Sequence, residues 1–255
     1  SVRELKRLVS LWKRAQKAND AEPKRVAQDK KGIEALLRRL ATQYHRQASK
    51  TKSDEDYNIA YELYVDYMKT FAGGRDSYDM GYYFAELLMT LQKWGEAAEN
   101  YEKILAQKPD GEHSKDAASS VVVAYKKLLN ITRSKTAAST IKGGDGNSGE
   151  NLSPKPISKP KQKFIDANKR YLKYVRGQSI ETDISYDIAL IYFDANQFDK
   201  AIPRFKEIAE NKPKHELAVY AANYLLDSYV LQKDYTALNQ AAKSLSSRFA
   251  PDAHP

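Results

Sequence analysis

WGEAAENYEKILAQKP (residues 94–109) and FDKAIPRFKEIAENKP (residues 198–213) follow one template, at an offset of 104 positions. An aromatic residue, a small residue, a second aromatic residue, an aliphatic residue and a proline recur at the same places. They are Trp94, Ala97, Tyr101, Ile104 and Pro109, and then Phe198, Ala201, Phe205, Ile208 and Pro213. Alanines let two helices approach closely, aromatic rings fill the space beside them, and proline ends the helix. The pattern predicts two helix-turn-helix units.

The two stretches resemble the second helices of tetratricopeptide (TPR) repeats. FAELLMTLQKWGEAA (residues 84–98) and IALIYFDANQFDKAI (residues 188–202) resemble the matching first helices and turns, with Ala85 and Ala189 as the small packing residues. The resemblance implies an all-α fold, a right-handed superhelical solenoid of about four to five TPR-like helix pairs. In general style the chain is also similar to bacterial cell-envelope TPR proteins, including the outer-membrane-assembly lipoproteins.

The remaining sequence predicts further helices around an insert. The helical patterns are residues 54–71 as a second helix, 116–129, 163–175, and a last pair over 216–245 with its turn at 232–235. Residues 132–162 are rich in Gly, Ser, Pro and Lys and almost free of large apolar side chains, so we expect a disordered insert at the turn of one repeat. The predicted segments are therefore basic N-terminal helices (1–51, capping or first repeat helix), repeats (52–131), insert (132–162), repeats (163–250) and tail (251–255).

Positive charge is concentrated at the N-terminus. Residues 1–50 carry 14 basic and 5 acidic side chains, whereas the whole chain has a net charge of +9. An apolar helical face formed by Leu5, Leu8, Val9 and Trp12 is surrounded by basic residues. These are Arg3, Lys6, Arg7, Lys13, Arg14 and Lys17. Such a helix is compatible with nucleic acid or an anionic membrane surface, and equally with a solenoid cap whose outer face is solvated.

Catalysis and cofactors find little support in the sequence. The chain has no cysteine, which excludes disulfides and thiol chemistry but leaves the compartment open. The four histidines lie in unrelated contexts without metal-ligand spacing, and His113 and His215 are expected as surface or capping residues. No apolar run approaches the roughly 20 residues of a membrane-spanning helix. We therefore expect a non-enzymatic protein without metal or cofactor.

Repeat geometry predicts where a partner would bind. The first helix of each pair lines the concave surface of a solenoid, and these faces form an aromatic and aliphatic groove with acidic rims. The predicted groove residues are Asp79, Tyr82, Glu86, Met89, Asp183, Tyr186, Leu190, Phe193, Leu226 and Tyr229. This surface suits a peptide or helix with apolar anchors, whereas Tyr82 and Glu86 would not hold a chaperone-tail carboxylate. The alternative is that the chain itself covers these residues.

Two functions of different class follow. The first is an interaction scaffold of a bacterial envelope complex, in outer-membrane assembly, secretion or surface motility, located in the periplasm and associated with the outer membrane. The second is a cytoplasmic adaptor or regulator whose basic N-terminal helices contact nucleic acid or anionic membrane. A protein partner is expected in the first case, with peripheral membrane association left open and nucleic acid as a minor alternative.

Overall fold

The fold was analysed in a computed structural model, which describes residues 2–17, 23–131, 152–175 and 178–249. Within these ranges all regular secondary structure is helical, with no strand, and consecutive helices form TPR-like pairs. The expected all-α fold is therefore confirmed. The chain divides into two compact units, Ser1–Leu128 and Leu129–Pro255, which are described separately.

The first unit contains two helix pairs and two flanking helices. Its helices are α1 (Val2–Lys17), α2 (Pro23–Thr51), α3 (Asp54–Phe71), α4 (Ser77–Thr90), α5 (Trp94–Gln107) and α6 (Ser114–Leu128). The pairs are α2 with α3 and α4 with α5, while α1 packs on α2 and α6 packs on α5. The basic N-terminal segment thus supplies the first helix of a pair, and α3 is a second helix as predicted.

Helix α1 is held by its apolar face. Leu5, Val9 and Trp12 are buried. The Trp12 ring stacks on Phe71 at a centroid distance of 5.7 Å, and its indole nitrogen donates to the Val26 carbonyl at 3.3 Å. These contacts are those of a helix that covers the end of a helix stack.

The repeated template forms the core of both units. Ala85 and Ala97, at the contact between α4 and α5, are fully buried, and so is Tyr101 beside them. Gly81 contributes to the same close approach, because a Cβ at this position would lie 2.7 Å from Ile104 Cδ1. The equivalent residues Ala189, Ala201 and Phe205 are likewise fully buried. The spacing in the sequence is therefore the spacing of the helix contacts.

Three of the four turns between the paired helices share one backbone geometry. Gln92, Asn196 and Lys233 follow α4, α8 and α10 with φ of 57°, 55° and 58°. The next residue in each turn donates its backbone N–H across a six-residue loop: Lys93 to Leu88, Gln197 to Tyr192 and Asp234 to Tyr229, at 2.9, 2.9 and 3.0 Å. This hydrogen bond closes a Schellman cap. Asn130, with φ of 50°, follows α6 at the same distance, so α6 ends as the first helix of a pair does.

The second unit repeats this architecture. Its helices are α7 (Lys159–Tyr171), α8 (Gln178–Asp194), α9 (Phe198–Asn211), α10 (Ala218–Leu231) and α11 (Tyr235–Ser246). The pairs are α8 with α9 and α10 with α11, and α10 also packs on α9. Leu225 of α10 is fully buried, and Ala241 and Leu245 of α11 are buried as well. The predicted last pair is therefore present, with its turn before Tyr235.

The end of the predicted insert has defined structure. Lys155 donates its backbone N–H to the Ala195 carbonyl at 2.8 Å, and Gln197 Nε2 donates to the Lys155 carbonyl at 2.7 Å. Helix α7 begins at Lys159, four residues before its predicted start at residue 163, because the extended residue Ser158 and a proline in the first turn start it. Residues 132–151, which hold most of the predicted insert, and the predicted tail lie outside the described residues.

Candidate partner-binding surface

Two of the predicted groove residues of α4, Asp79 and Tyr82, contact a histidine. His113, just before α6, stacks on the Tyr82 ring at 4.1 Å with an interplanar angle of 5°. Its Nε2 lies 3.3 Å from an Asp79 carboxylate oxygen, and the Tyr78 and Tyr83 rings lie 5.5 and 5.8 Å from its ring, centroid to centroid. We call these five residues the Tyr–His cluster. Asp79 and Tyr82 are thus engaged within the chain, although the Asp79 side chain remains 51% exposed.

The loop that carries His113 is fixed by hydroxyl groups. The Tyr78 hydroxyl accepts the His113 backbone N–H at 3.0 Å and lies 3.2 Å from the Ser114 hydroxyl. Ser114 Oγ donates to the Lys108 carbonyl at 2.6 Å and accepts from Gly111 N at 2.9 Å. Gly111 has no room for a side chain, because a Cβ there would meet the Tyr78 hydroxyl at 2.3 Å. The cluster is therefore a rigid part of the α5–α6 connection.

Glu86 and Tyr101 form a partly buried pair between α4 and α5. The Tyr101 hydroxyl donates to the Glu86 carboxylate, and the Ser120 side chain hydrogen-bonds the same hydroxyl. Burial, followed by the hydrogen bond to Glu86, raises the pKa of Tyr101 far above its usual value. Burial and then the negative charges of Glu86 and Asp116 raise the pKa of Tyr82 to about 12. Glu86, a predicted groove residue, therefore also accepts a hydrogen bond inside the first unit.

Tyr186 is a correction to the predicted groove, because it is only 1% exposed. It packs edge-on against Phe205 at 5.8 Å and Tyr224 at 6.3 Å. The physical reason is the residue that covers it. Tyr224 of α10 corresponds at the 104-residue offset to Ser120 of α6, whose short side chain leaves the equivalent residue Tyr82 less covered. Tyr186 belongs to the core of the second unit.

The other predicted groove residues of the second unit are partly covered. Phe193 lies among Tyr224, Phe198 and Phe205, at 5.0, 5.6 and 6.3 Å, as part of an aromatic core. Asp183 lies 3.9 Å from His215 Nε2. The remaining members are each half-buried: Leu190, Leu226 and Tyr229, as is Met89 in the first unit. The predicted groove residues of the second unit are therefore only partly accessible, and they do not form an open apolar surface.

The open part of the first unit lies along α2, which the groove prediction left out. Two adjoining depressions of about 630 and 530 Å³ share Arg39 and Thr42. One follows α2 to Thr51, and the other passes between α2 and α4 to Asp79 and Tyr83. We call them together the α2–α4 trough. Residues Arg39, Gln43, Arg46 and Lys50 recur at i, i+4, i+7 and i+11, a helical stripe that the sequence could have disclosed.

Charges in the trough differ in how they are satisfied. Arg38 pairs with Asp76 at 3.2 Å, and Asp79 lies 3.3 Å from His113 Nε2. In contrast, no carboxylate among the described residues pairs with Arg39, Arg46 or Lys50, all of which are exposed. The depression along α2 therefore carries uncompensated positive charge, and the depression between α2 and α4 carries partly neutralised acidic groups and Tyr83.

The basic surface predicted on α1 is only partly open. Arg3, Arg7 and Arg14 are exposed, whereas Lys6 and Lys13 are half-buried. Lys6 forms an ion pair with Glu62 of α3. The side chain of Lys17 lies outside the described part of the structure. Leu8, predicted on the apolar face with Leu5, is instead 47% exposed, and the neighbouring Leu11 is 52% exposed.

The arrangement offers no assembled catalytic or metal site within the described ranges. No group of three or more His, Cys, Asp or Glu side chains there could hold a metal ion. His113 has a carboxylate partner, but the neighbouring Ser114 hydroxyl is committed to the loop backbone. His215 Nδ1 accepts the Leu217 backbone N–H at 3.2 Å, the capping role expected of it. In the described parts of the chain, every helix is too short or too polar to span a bilayer.

Comparison with known proteins gives structural likeness only. No protein-family model matches the chain, and no curated protein matches it. Among solved structures, one titled MamA AMB-1 shares 11% sequence identity and a TM-score of 0.46, covering 87% of this chain and 94% of its own. A crystal structure of MamA protein shares 14% identity and a TM-score of 0.42, covering 84% of this chain and 96% of its own. Likeness of this degree carries no information about what the present chain binds.

Proposed function

We propose that this protein is a non-catalytic scaffold that holds a peptide or helix of another protein against the first helices of its pairs. The observation that carries the proposal is the α2–α4 trough. It is bordered by the exposed residues Arg39, Arg46 and Tyr83, which the described part of the unit does not cover. Stacked helix pairs can present one side of their first helices to a partner.

A binding experiment tests this proposal with a matched pair of tyrosines. Full-length protein is used to capture partners from its native organism, and the binding of each purified partner is then measured for two variants. Tyr83→Ala removes an aromatic side chain, 39% exposed, from the trough, whereas Tyr235→Ala removes one, 60% exposed, from α11. We expect Tyr83→Ala to weaken binding about tenfold and Tyr235→Ala to leave it unchanged. Equal affinities for the two variants would refute binding in the trough.

The cellular role is part of the same proposal. We propose that the scaffold belongs to a bacterial envelope complex, in outer-membrane assembly, secretion or gliding and surface-motility machinery, and that it resides in the periplasm near the outer membrane. The support is the general resemblance of the sequence to envelope TPR proteins. Fractionation of the native organism tests the location, and recovery with the cytoplasmic fraction would favour the alternative of a cytoplasmic adaptor.

Exposed groups on α1 favour a second candidate function, attachment to an anionic membrane surface. Leu8 and Leu11 are about half exposed beside Arg7 and Arg14, a combination that interfacial helices use. Flotation with vesicles containing phosphatidylglycerol tests this candidate. Binding that is lost on replacing both leucines with Ser, and that falls steeply with added salt, would support it. Absence of flotation at low salt would remove it.

A further inference from the structure

The exposed cations along α2 form a regular row on one side of the helix. Arg39, Arg46 and Lys50 lie on one side of α2 over about 16 Å, at 1.5 Å per residue. The glutamines between them, Gln43 and Gln47, are exposed, and Gln47 Nε2 donates to Asp56 of α3 at 2.9 Å. The stripe therefore presents three cations at a spacing set by the helix. The amide of the neighbouring Gln47 is already hydrogen-bonded within the chain.

The charges around this stripe are arranged asymmetrically. Of the two carboxylates that line the trough among the described residues, Asp76 is paired with Arg38, and Asp79 lies 3.3 Å from His113 Nε2. The three cations of the stripe have no such partner among the described residues. Like charges close together on a helix repel one another, so an arrangement of this kind gains stability when an anionic partner binds.

We propose that the α2 stripe binds an acidic segment of a partner polypeptide, with carboxylates opposite Arg39, Arg46 and Lys50. The inference rests on the proposed scaffold function and specifies the chemistry of the partner. Arginine favours carboxylates because its planar guanidinium can donate two parallel hydrogen bonds. A helix with acidic residues at i, i+7 and i+11 has the length and spacing of the stripe.

A polypeptide fits the trough better than nucleic acid does. At one end of the trough the Asp79 side chain is 51% exposed, and its carboxylate would repel a phosphate backbone. A polypeptide can present acidic groups to the stripe and a basic or neutral group to Asp79. In addition, no aromatic side chain lines the depression that follows α2 to Thr51, so stacked bases would find no platform there.

The test uses full-length protein and a labelled helical peptide of about 16 residues with Glu at the i, i+7 and i+11 spacing. The stripe variant is Arg39→Glu/Arg46→Glu/Lys50→Glu. The matched control is Arg3→Glu/Arg7→Glu/Arg14→Glu on α1, which changes the net charge equally at three exposed positions. Fluorescence anisotropy at about 50 mM salt gives the affinities. We expect the stripe variant to bind at least about tenfold more weakly than wild type, and the α1 control to bind within about twofold of wild type.

Two further measurements distinguish loss of charge from loss of fold, and a polypeptide ligand from nucleic acid. Arg39→Gln/Arg46→Gln/Lys50→Gln, checked for helicity by circular dichroism, separates loss of charge from loss of fold and should also weaken binding. Equal weakening by the stripe and α1 variants would overturn the proposal as a net-charge effect, and tighter binding of an oligodeoxythymidine than of the peptide would overturn it in favour of nucleic acid. A natural partner whose binding depends on Tyr83 but not on the stripe would refute this inference and leave the scaffold proposal intact.

Discussion

The pair formed by Tyr101 and Glu86 can be dissected by a double-mutant cycle. Tyr101 is fully buried and donates to a half-buried carboxylate, so Tyr101→Phe leaves Glu86 without its partner. Hydrogen bonds to charged groups contribute about 1.5–3 kcal/mol, and partial rehydration of Glu86 places the expected loss near 1–2 kcal/mol. Glu86→Leu should cost about 1 kcal/mol or less, because Ser120 still hydrogen-bonds the Tyr101 hydroxyl.

The double variant tests the reasoning. Glu86→Leu/Tyr101→Phe recreates the pair Leu190 and Phe205, which occupies the equivalent place in the second unit. We therefore expect the double variant to lose less stability than Tyr101→Phe alone, with a coupling free energy of about 1–2 kcal/mol. Strict additivity of the two single variants would refute the assigned contact.

The assay can report the first unit selectively. The chain has 2 tryptophans, Trp12 and Trp94, and both lie in the first unit. Urea unfolding followed by tryptophan fluorescence therefore monitors the unit that contains the pair, with far-ultraviolet circular dichroism monitoring the whole chain. Phe205→Tyr is the matched control. It places a hydroxyl opposite Leu190, so it should destabilise by about 1–3 kcal/mol in circular dichroism without shifting the fluorescence transition.

Three further perturbations have defined outcomes. Burial lowers the pKa of His45 below 6.5, so the unfolded state takes up the proton first and the free energy of unfolding should fall as the pH drops below 6.5. In urea titrations at several pH values, His45→Gln should show a smaller fall in this free energy than the wild type. Parallel pH profiles for the two proteins would contradict the assignment. Ala97→Leu and Ala201→Leu overfill fully buried helix contacts and should each cost about 1–3 kcal/mol, whereas unchanged melting temperatures would argue against the packing register. Gln92→Gly relieves a positive φ and should stabilise the protein by about 0.5–1 kcal/mol in thermal melts. A lower melting temperature for this variant would contradict the expectation.

The helix contacts were predictable because their spacing is written in the sequence. Ala97 and Tyr101 recur as Ala201 and Phe205, and all four are fully buried. The start of α7 was not predictable from apolar periodicity, because its first turn, KPKQ at 159–162, contains no large apolar residue. Its signals are local instead: a serine before the helix and a proline within its first turn.

The binding surface was less predictable than the fold. The fate of Tyr186 depends on Tyr224, a residue 38 positions away that the repeat template leaves unspecified. The α2 stripe was visible as a charge pattern, but its exposure follows from which side of α2 packs on α3. The stacking of Tyr82 on His113 could not be predicted from the sequence, because it depends on the path of the loop before α6.

The constant offset between α4–α6 and α8–α10 makes the two segments candidates for recombination. Residues Lys93 and Gln197 precede the second helices in the same backbone geometry, with φ of −84° and −89° and ψ of 60° and 63°. A chimera that passes from residue 93 directly to residue 198 would keep the local turn and remove 104 residues, the intervening insert included. Such a shortened chain would let protein engineers study one copy of the module in isolation from its duplicate.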